Sequence, residues 1–417
     1  MPFSFLTGGG SSIAIDFGSA SVKMLQVSKD DRPKLVAAAE LPIPDSVRGD
    51  HVKQIEYLAE YLPPLLSRSN FKSRRATISV PGSKTLVQHT SLPRIDGTDD
   101  HELILSQLSA DYGCPSSAII AQHTEVCEVH RGGQPLREAI VYAIPREVIS
   151  RYVNLLKKLR IEVVGVHAAP NALRYAFAHL NRRERDSEVT TCYVNLGWSG
   201  TLVTIANGNE LAFARQIEVG GRHLDEQIAS VLRCDLAAAR GHRLAVGDQA
   251  IKVEAPLAGA TNNAILGVAA AQAGSDATGL GGSIGTDDQA EERRTTAFPA
   301  PGVGQHVDVD AAQAQIADLQ IGELLDMISD ELTMSLRYHK TLFPGRRIDR
   351  VIFVGGEARQ LWLCRNLASR LRVPAQLGDP ITRLNVPEGI ETPGLDLGEP
   401  QPGWAVACGL CNAPTDL

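Results

Sequence analysis

The chain has 417 residues, 43% hydrophobic and only 5% aromatic, enough to bury the cores of a two-domain α/β protein. A formal net charge of −7 with no long basic run excludes general attraction to nucleic acid. No stretch has the apolar length that spans a bilayer, the N-terminus MPFSFLTGGG is too short and uncharged for a signal peptide, and seven scattered cysteines make no disulfide framework; the expectation is a cytoplasmic protein that reaches a membrane only through a partner.

The first informative stretch is SIAIDFGSASVKMLQVS, Ser12 to Ser28. Two β-favouring apolar runs, Ile13 to Phe17 and Val22 to Val27, flank the small residues Gly18-Ser19-Ala20-Ser21. This reads as strand, tight turn, strand. Small residues let backbone N–H groups crowd around an anion. Asp16 stands where a phosphate-bound Mg²⁺ expects an oxygen ligand, and Lys23 supplies positive charge. On its own the pattern reads equally as an ordinary hairpin turn. A third strand follows from Lys34 to Leu41, then a helix with Val52, Ile55, Leu58 and Leu62 on one face, predicted to end at Pro63-Pro64. Arg75 to Val80 is the next strand.

From Ser83 to Arg160 the texture changes. A strand (Leu86 to Leu92), a helix (Asp99 to Tyr112, capped by Thr98), a hairpin across Arg131-Gly132-Gly133 and an amphipathic helix (Pro145 to Leu159) make a compact α+β insertion. It carries no catalytic constellation, and His123 and His130 lack the spacing of metal ligands. Ile161 to Val166 returns to a strand, and the helix after it dissolves into the charged Asn181 to Asp186, read as a solvated boundary.

The opening plan then recurs. Thr191 to Leu196, the turn Gly197-Trp198-Ser199-Gly200 and Thr201 to Ala206 repeat strand, turn, strand; Asn207-Gly208 is a hairpin signal before a third strand, Glu210 to Val219. A helix from His223 and, much later, the strand Arg350 to Val354 ending in Gly355-Gly356 complete the second copy. Two phosphate turns on two similar domains would face each other across a cleft. Periodicity is lost from about Ala271 to Val303, within an Ala/Gly-rich span expected to be an insertion without regular structure over about 245–310. A long helix through Ile321, Leu325, Ile328 and Leu332 precedes the Arg350 strand, and the chain closes on a helix from Trp404 to Cys411. Its Cys408 and Cys411 read as buried thiols.

This order of parts resembles the actin-like ATPase superfamily, and within it the type IV pilus assembly protein PilM family, relatives of the cell-division actin homologue FtsA. The likeness is carried by IAIDFGSASVKMLQV, ISVPG, LPRI, VYAIPREVISRYVNLLKKLRIEVVGVHAAPNALRYAF, YVNLGWSGTLVTIANGNELAFARQIEVGG, VIFVGGEARQLWLCRNLASRL and PGWAVACGL. The resemblance implies duplicated mixed-sheet, ribonuclease H-like domains around a nucleotide cleft: residues 11–82 and 161–186 as the first domain, 83–160 as an inserted partner-docking subdomain, 187–395 as the second domain, and 400–415 as the last helix. By it Asp16 holds Mg²⁺, Gly18, Ser19, Ser21 and Lys23 contact the β- and γ-phosphates of ATP, Gly197, Gly200 and Thr201 close from the other half, and Gly355 and Gly356 let the backbone approach the purine and ribose. It further implies a scaffold under the inner membrane that docks the cytoplasmic tail of a PilN-like protein, with other pilus or secretion components around it and self-association left open.

Three departures stand out. Asn195 occupies a position where that family has aspartate; it can hydrogen-bond a hydrated ion or water but carries no charge and cannot act as a base, so at most a weak ATPase is expected. Trp198 is bulky in a turn of small residues. Ala237-Ala238-Ala239-Arg240 lacks the acidic and lysine pattern of adenine-side contacts. A sugar-type kinase would need a carboxylate base near the γ-phosphate, for which the sequence offers no candidate beyond Asp16; that reading and a scaffold without nucleotide are the alternatives.

Overall fold

The computed structural model describes residues 11–252, apart from Asp31 and Asp96, and residues 320–415. The first sheet begins as an antiparallel meander of β1 (Ile13–Phe17), β2 (Ser21–Val27) and β3 (Leu35–Pro42). After α1 (Asp45–Arg48) and α2 (His51–Arg68), β4 (Arg75–Ser79) joins parallel to β1. The insertion follows: β5 (Leu86–Pro93), α3 (Asp100–Tyr112), β6 (Ile119–Arg131), β7 (Gln134–Pro145) and α4 (Arg146–Lys158). The chain returns through β8 (Glu162–Val166), parallel to β4, and α5 (Ala169–Ala176).

The second sheet repeats the plan with β9 (Thr190–Leu196), β10 (Thr201–Asn207) and β11 (Glu210–Ile217) as the meander. Next come α6 (Gly221–Leu232), α7 (Leu236–Lys252) and α8 (Gly322–Leu342). Then β12 (Arg350–Val354) pairs parallel to β9, α9 (Leu361–Leu371) intervenes, β13 (Ala375–Leu377) pairs with β12, and α10 (Ala405–Cys411) ends the fold. The strand orders are β3-β2-β1-β4-β8 and β11-β10-β9-β12-β13, the same order twice, while β5-β7-β6 form a separate three-stranded sheet.

Strand alternation decides what each face does. On β1, Ile13, Ile15 and Phe17 pack outward against Leu58 and Leu62 of α2 and Tyr152 of α4, while Ala14 joins a core shared by both halves. On β9, Cys192, Val194 and Leu196 likewise face an outer core and Tyr193 the shared one. Asp16 follows Ala14 on its face, and Asn195 follows Tyr193. Both therefore stand at the rim of the core between the sheets. Helices α5 and α10 fill that core, with Leu173, Ala176, Ala407 and Leu410 all buried there.

Four local expectations need correction. Helix α2 runs through Pro63 and Pro64 to Arg68. The prolines give up two donors, yet Leu58, Leu62 and Leu65 stay on one buried stripe, and that packing holds the helix past them. The residue capping α3 is Asp99, whose carboxylate accepts from His101 N, and not Thr98. Asn181 is buried rather than solvated, donating to the Gly208 carbonyl at 2.8 Å. Helix α7 extends to Lys252, into the span expected to be irregular; the remainder of that span lies outside the described residues.

The insertion is fastened to the second half by Glu138 of β7, a fully buried carboxylate. It accepts from Ser91 Oγ at 2.6 Å and Tyr338 Oη at 2.9 Å, lies 3.0 Å from His89 Nε2 and pairs with Arg131 at 3.1 Å. Burial pushes the His89 imidazole pKa down against the pull of Glu138. Tyr338→Phe removes one of these donors and is expected to cost about 1 to 2 kcal/mol in a denaturant titration. Unchanged stability in that variant would mean the carboxylate does not hold the two parts together.

Candidate functional site

Between the two sheets lies a cleft of about 430 Å³, within the size range of small-molecule sites. The turn after β1 lines it with Gly18, Ser19 and Ser21, and the turn after β9 with Gly197, Ser199 and Gly200. The two turns are built alike. A Cβ on Gly18 would lie 2.8 Å from the Ser21 carbonyl oxygen, and one on Gly197 would lie 2.8 Å from that of Gly200. Neither position has room for a side chain, and the second turn is closed by the Gly197 N–H, which donates to the Gly200 carbonyl at 3.0 Å. The turns touch across the cleft through Ser19 Oγ and Ser199 Oγ, 2.8 Å apart.

Asp16, Lys23 and Glu40 stand side by side on β1, β2 and β3, since Asp16 pairs with Lys23 and Lys23 with Glu40 in the strand register. All three line the cleft. Lys23 Nζ donates to Ser21 Oγ at 2.6 Å and lies 3.1 Å from Glu40. Burial raises the Asp16 pKa to about 6, Lys23 opposes the rise and Glu40 adds to it. One ammonium between two carboxylates leaves a surplus of negative charge on this wall.

Across the cleft Asn195 has no charge to add. Gly355, at φ +97°, brings its backbone so close that a Cβ would fall 2.4 Å from Asn195 Oδ1 and 2.3 Å from the Leu196 carbonyl oxygen. The left-handed conformation at Gly355 thus serves the join between β12 and β9. At Gly356, by contrast, a Cβ would meet nothing within 4 Å, leaving bare backbone on the cleft wall. Of the residues singled out from sequence, the structure brings together Asp16, Gly18, Ser19, Ser21, Lys23, Asn195, Gly197, Gly200, Gly355 and Gly356. Thr201 is placed elsewhere: it is fully buried and its hydroxyl donates to the Val219 carbonyl at 2.8 Å. Its task is to tie β10 to the end of β11.

A charged wall that the sequence does not announce is made by α1, α6, α7 and the turn after β12. Arg240 bridges Asp45 and Asp225 at 2.9 and 3.2 Å, and Arg243 bridges Asp225 and Glu357 at 2.6 and 2.7 Å. Arg48 pairs with Asp45 at 2.7 Å and also lies over Trp198, 5.3 Å from the ring centre, with Arg222 5.9 Å away. Trp198 is therefore held by two guanidiniums, with Arg48 reaching it from the other half. The signal was available in part: Arg240 and Arg243 are three apart and so share a helix face. Nothing in the sequence announced the carboxylates opposite them.

Cys408 and Cys411 are free thiols raised in pKa by burial, and among the described residues no cluster of three or more His, Cys, Asp or Glu could hold a metal. Among those residues no helix is long and apolar enough to cross a membrane.

Residues 14–246 match the family described as "Type IV pilus assembly protein PilM". The chain is also similar to the solved "PilM-PilN type IV pilus biogenesis complex", at 15% identity and a TM-score of 0.66, over 96% of this chain and 97% of that one. A fainter likeness, TM-score 0.45 and 12% identity over 96% of this chain and 88% of that one, is to ethanolamine utilization protein EutJ from Carboxydothermus hydrogenoformans.

Proposed function

This chain belongs to the type IV pilus assembly protein PilM family and has the actin-like fold, and from that premise we propose that it is a nucleotide-binding assembly scaffold. The observation that carries the nucleotide part is the pair of matching turns, Gly18 to Ser21 and Gly197 to Gly200, facing each other across one cleft. The residues present fit Mg²⁺-ATP. Tight turns offer N–H groups to phosphates, Lys23 offers charge, Asp16 is a carboxylate whose raised pKa a cation would lower, and Gly356 leaves backbone bare. Bound there, the ion would neutralise phosphate charge and fix the chain of phosphates against Asp16. Hydrolysis would be slow at best, because Asn195 cannot accept the proton of an attacking water.

The scaffold part rests on family membership and on the build of the insertion, residues 83–160. Its sheet β5-β7-β6 is a separate unit, tied to the second half through Glu138. In this reading it docks the cytoplasmic tail of a PilN-like inner-membrane protein, which keeps the chain in the cytoplasm at the membrane surface. The test is a pull-down of a one-helix PilN-like membrane protein by the full chain in detergent. Co-purification is expected; its failure would remove the docking claim while leaving the nucleotide claim standing.

A further inference from the structure

Glu40 on β3 closes the row of charges that begins at Asp16, and it is held there from two sides. Of the two carboxylates beside Lys23 in the register, Glu40 is the one in contact, 3.1 Å from Nζ. Behind it, the Glu40 backbone N–H donates to the Pro393 carbonyl at 2.8 Å, in the stretch that follows β13. Gly394, at φ +82°, lets that stretch press close: a Cβ there would fall 2.6 Å from the Glu40 Cβ. The Lys23 and Glu40 side chains are 11% and 15% exposed, so water does little to screen the pair. Lys23 is hemmed in as well. A Cβ on Gly403 would stand 3.4 Å from Lys23 Cε, and the ammonium also donates to Ser21 Oγ. These contacts leave it one proton to offer a ligand, with the charge behind that proton already matched by Glu40.

From this we infer that Glu40 is a positioning residue that ties up Lys23, and so makes a polyphosphate ligand depend on its divalent cation rather than on the lysine. The inference rests on the nucleotide reading of the cleft. A bare triphosphate arriving at the Gly18 turn meets Asp16, Glu40 and an ammonium already spent on Glu40, so this wall gives it no net attraction. A cation beside Asp16 makes up the deficit. The opposite wall does not, because Arg48, Arg240 and Arg243 are paired with Asp45, Asp225 and Glu357. Arg359 also lines the cleft, but it is exposed to solvent screening and donates to Gln401. Without the Glu40 charge, Lys23 would be released to make a charge-assisted bond to a phosphate oxygen directly.

The experiment titrates the full chain with labelled ATP, in Mg²⁺ and again in excess chelator, for wild type, Glu40→Gln, Glu40→Asp and Asp16→Asn, with thermal unfolding of each alongside. Glutamine keeps the shape of Glu40 and still accepts from Lys23, so only charge is removed. Wild type is expected to bind at least about tenfold more weakly in chelator. Glu40→Gln is expected to bind ATP in chelator at least about tenfold more tightly than wild type does, with less than about a threefold change in Mg²⁺. Glu40→Asp keeps a charge beside Lys23 and should behave as wild type. Asp16→Asn removes an equal charge but leaves Lys23 tied, so it should gain nothing in chelator. A folded Glu40→Gln that gains nothing in chelator would overturn the proposal. So would an equal gain in Asp16→Asn, which makes the effect one of wall charge and not of Lys23 release. Loss of Mg²⁺-ATP binding in Glu40→Gln would put Glu40 on the ligand or its ion and overturn it as well. Wild type binding equally well with and without Mg²⁺ would do so whether or not any variant folds. Failure of wild type to bind ATP in Mg²⁺ sinks the nucleotide reading itself, a result distinct from the others.

Discussion

Asp16→Asn is expected to abolish Mg²⁺-dependent ATP binding and, in the same step, to stabilise the ligand-free protein above pH 7. The two effects have one cause. Asp16 is half-buried on the same wall as a second carboxylate, Glu40, and desolvation raises its pKa from the ordinary 3.8 to about 6. The folded state therefore holds the proton more tightly than the unfolded chain. Stability from this group is greatest below pH 3.8 and is lost as pH rises through about 6. An uncharged asparagine escapes that loss, by roughly 1 to 3 kcal/mol at pH 8 and by almost nothing at pH 4. The same substitution removes the one ionised oxygen offered to the cation by β1, since Asn195 supplies no second charge. Thermal unfolding across pH 4 to 8, paired with nucleotide titration, reads both effects on one protein. A variant less stable than wild type at pH 8 would mean the carboxylate is held by favourable partners rather than strained by burial.

Gly409→Ala should damage the fold severely. Helices α5 and α10 cross in the core between the sheets, and a Cβ on Gly409 would lie 1.8 Å from the Ala172 carbonyl oxygen and 2.4 Å from its carbon. Both are backbone atoms, so no rotamer relieves the clash. The helices must separate, loosening Ala172, Leu173 and Leu410 at once. A loss of about 3 kcal/mol or more is expected in a denaturant titration. Gly356→Ala is the matched control, because a Cβ there meets nothing within 4 Å. It should leave stability within about 0.5 kcal/mol of wild type, while its methyl intrudes on the cleft. Equal stability of the two alanine variants would mean the helices tolerate a wider crossing.

The strand plan was legible because it rests on short-range chemistry. Apolar runs broken by Gly18 and Gly197 mark strand and turn, and the repeat of that pattern is visible without any tertiary knowledge. The duplicated sheet order follows from it. Alternation on β1 and β9 even places Asp16 and Asn195 on equivalent faces. What sequence could not show is which distant charges meet. Asp45 and Arg240 are 195 residues apart and Arg243 and Glu357 are 114 apart, so their pairing exists only once both sheets are packed. Thr201 misled for a related reason: its place after the turn matches a phosphate ligand, but strand alternation turns its hydroxyl inward to Val219. The prolines of α2 misled because local propensity was set against burial of Leu65, and burial won.

The most direct test of the account is an equilibrium titration of the full chain with labelled ATP, with Mg²⁺ and again with excess chelator, beside Asp16→Asn. Saturable binding that needs Mg²⁺ and disappears in the variant is the predicted result. No binding by wild type at high micromolar ATP, or binding that Asp16→Asn leaves intact, would contradict the claim that the two turns form a nucleotide clamp.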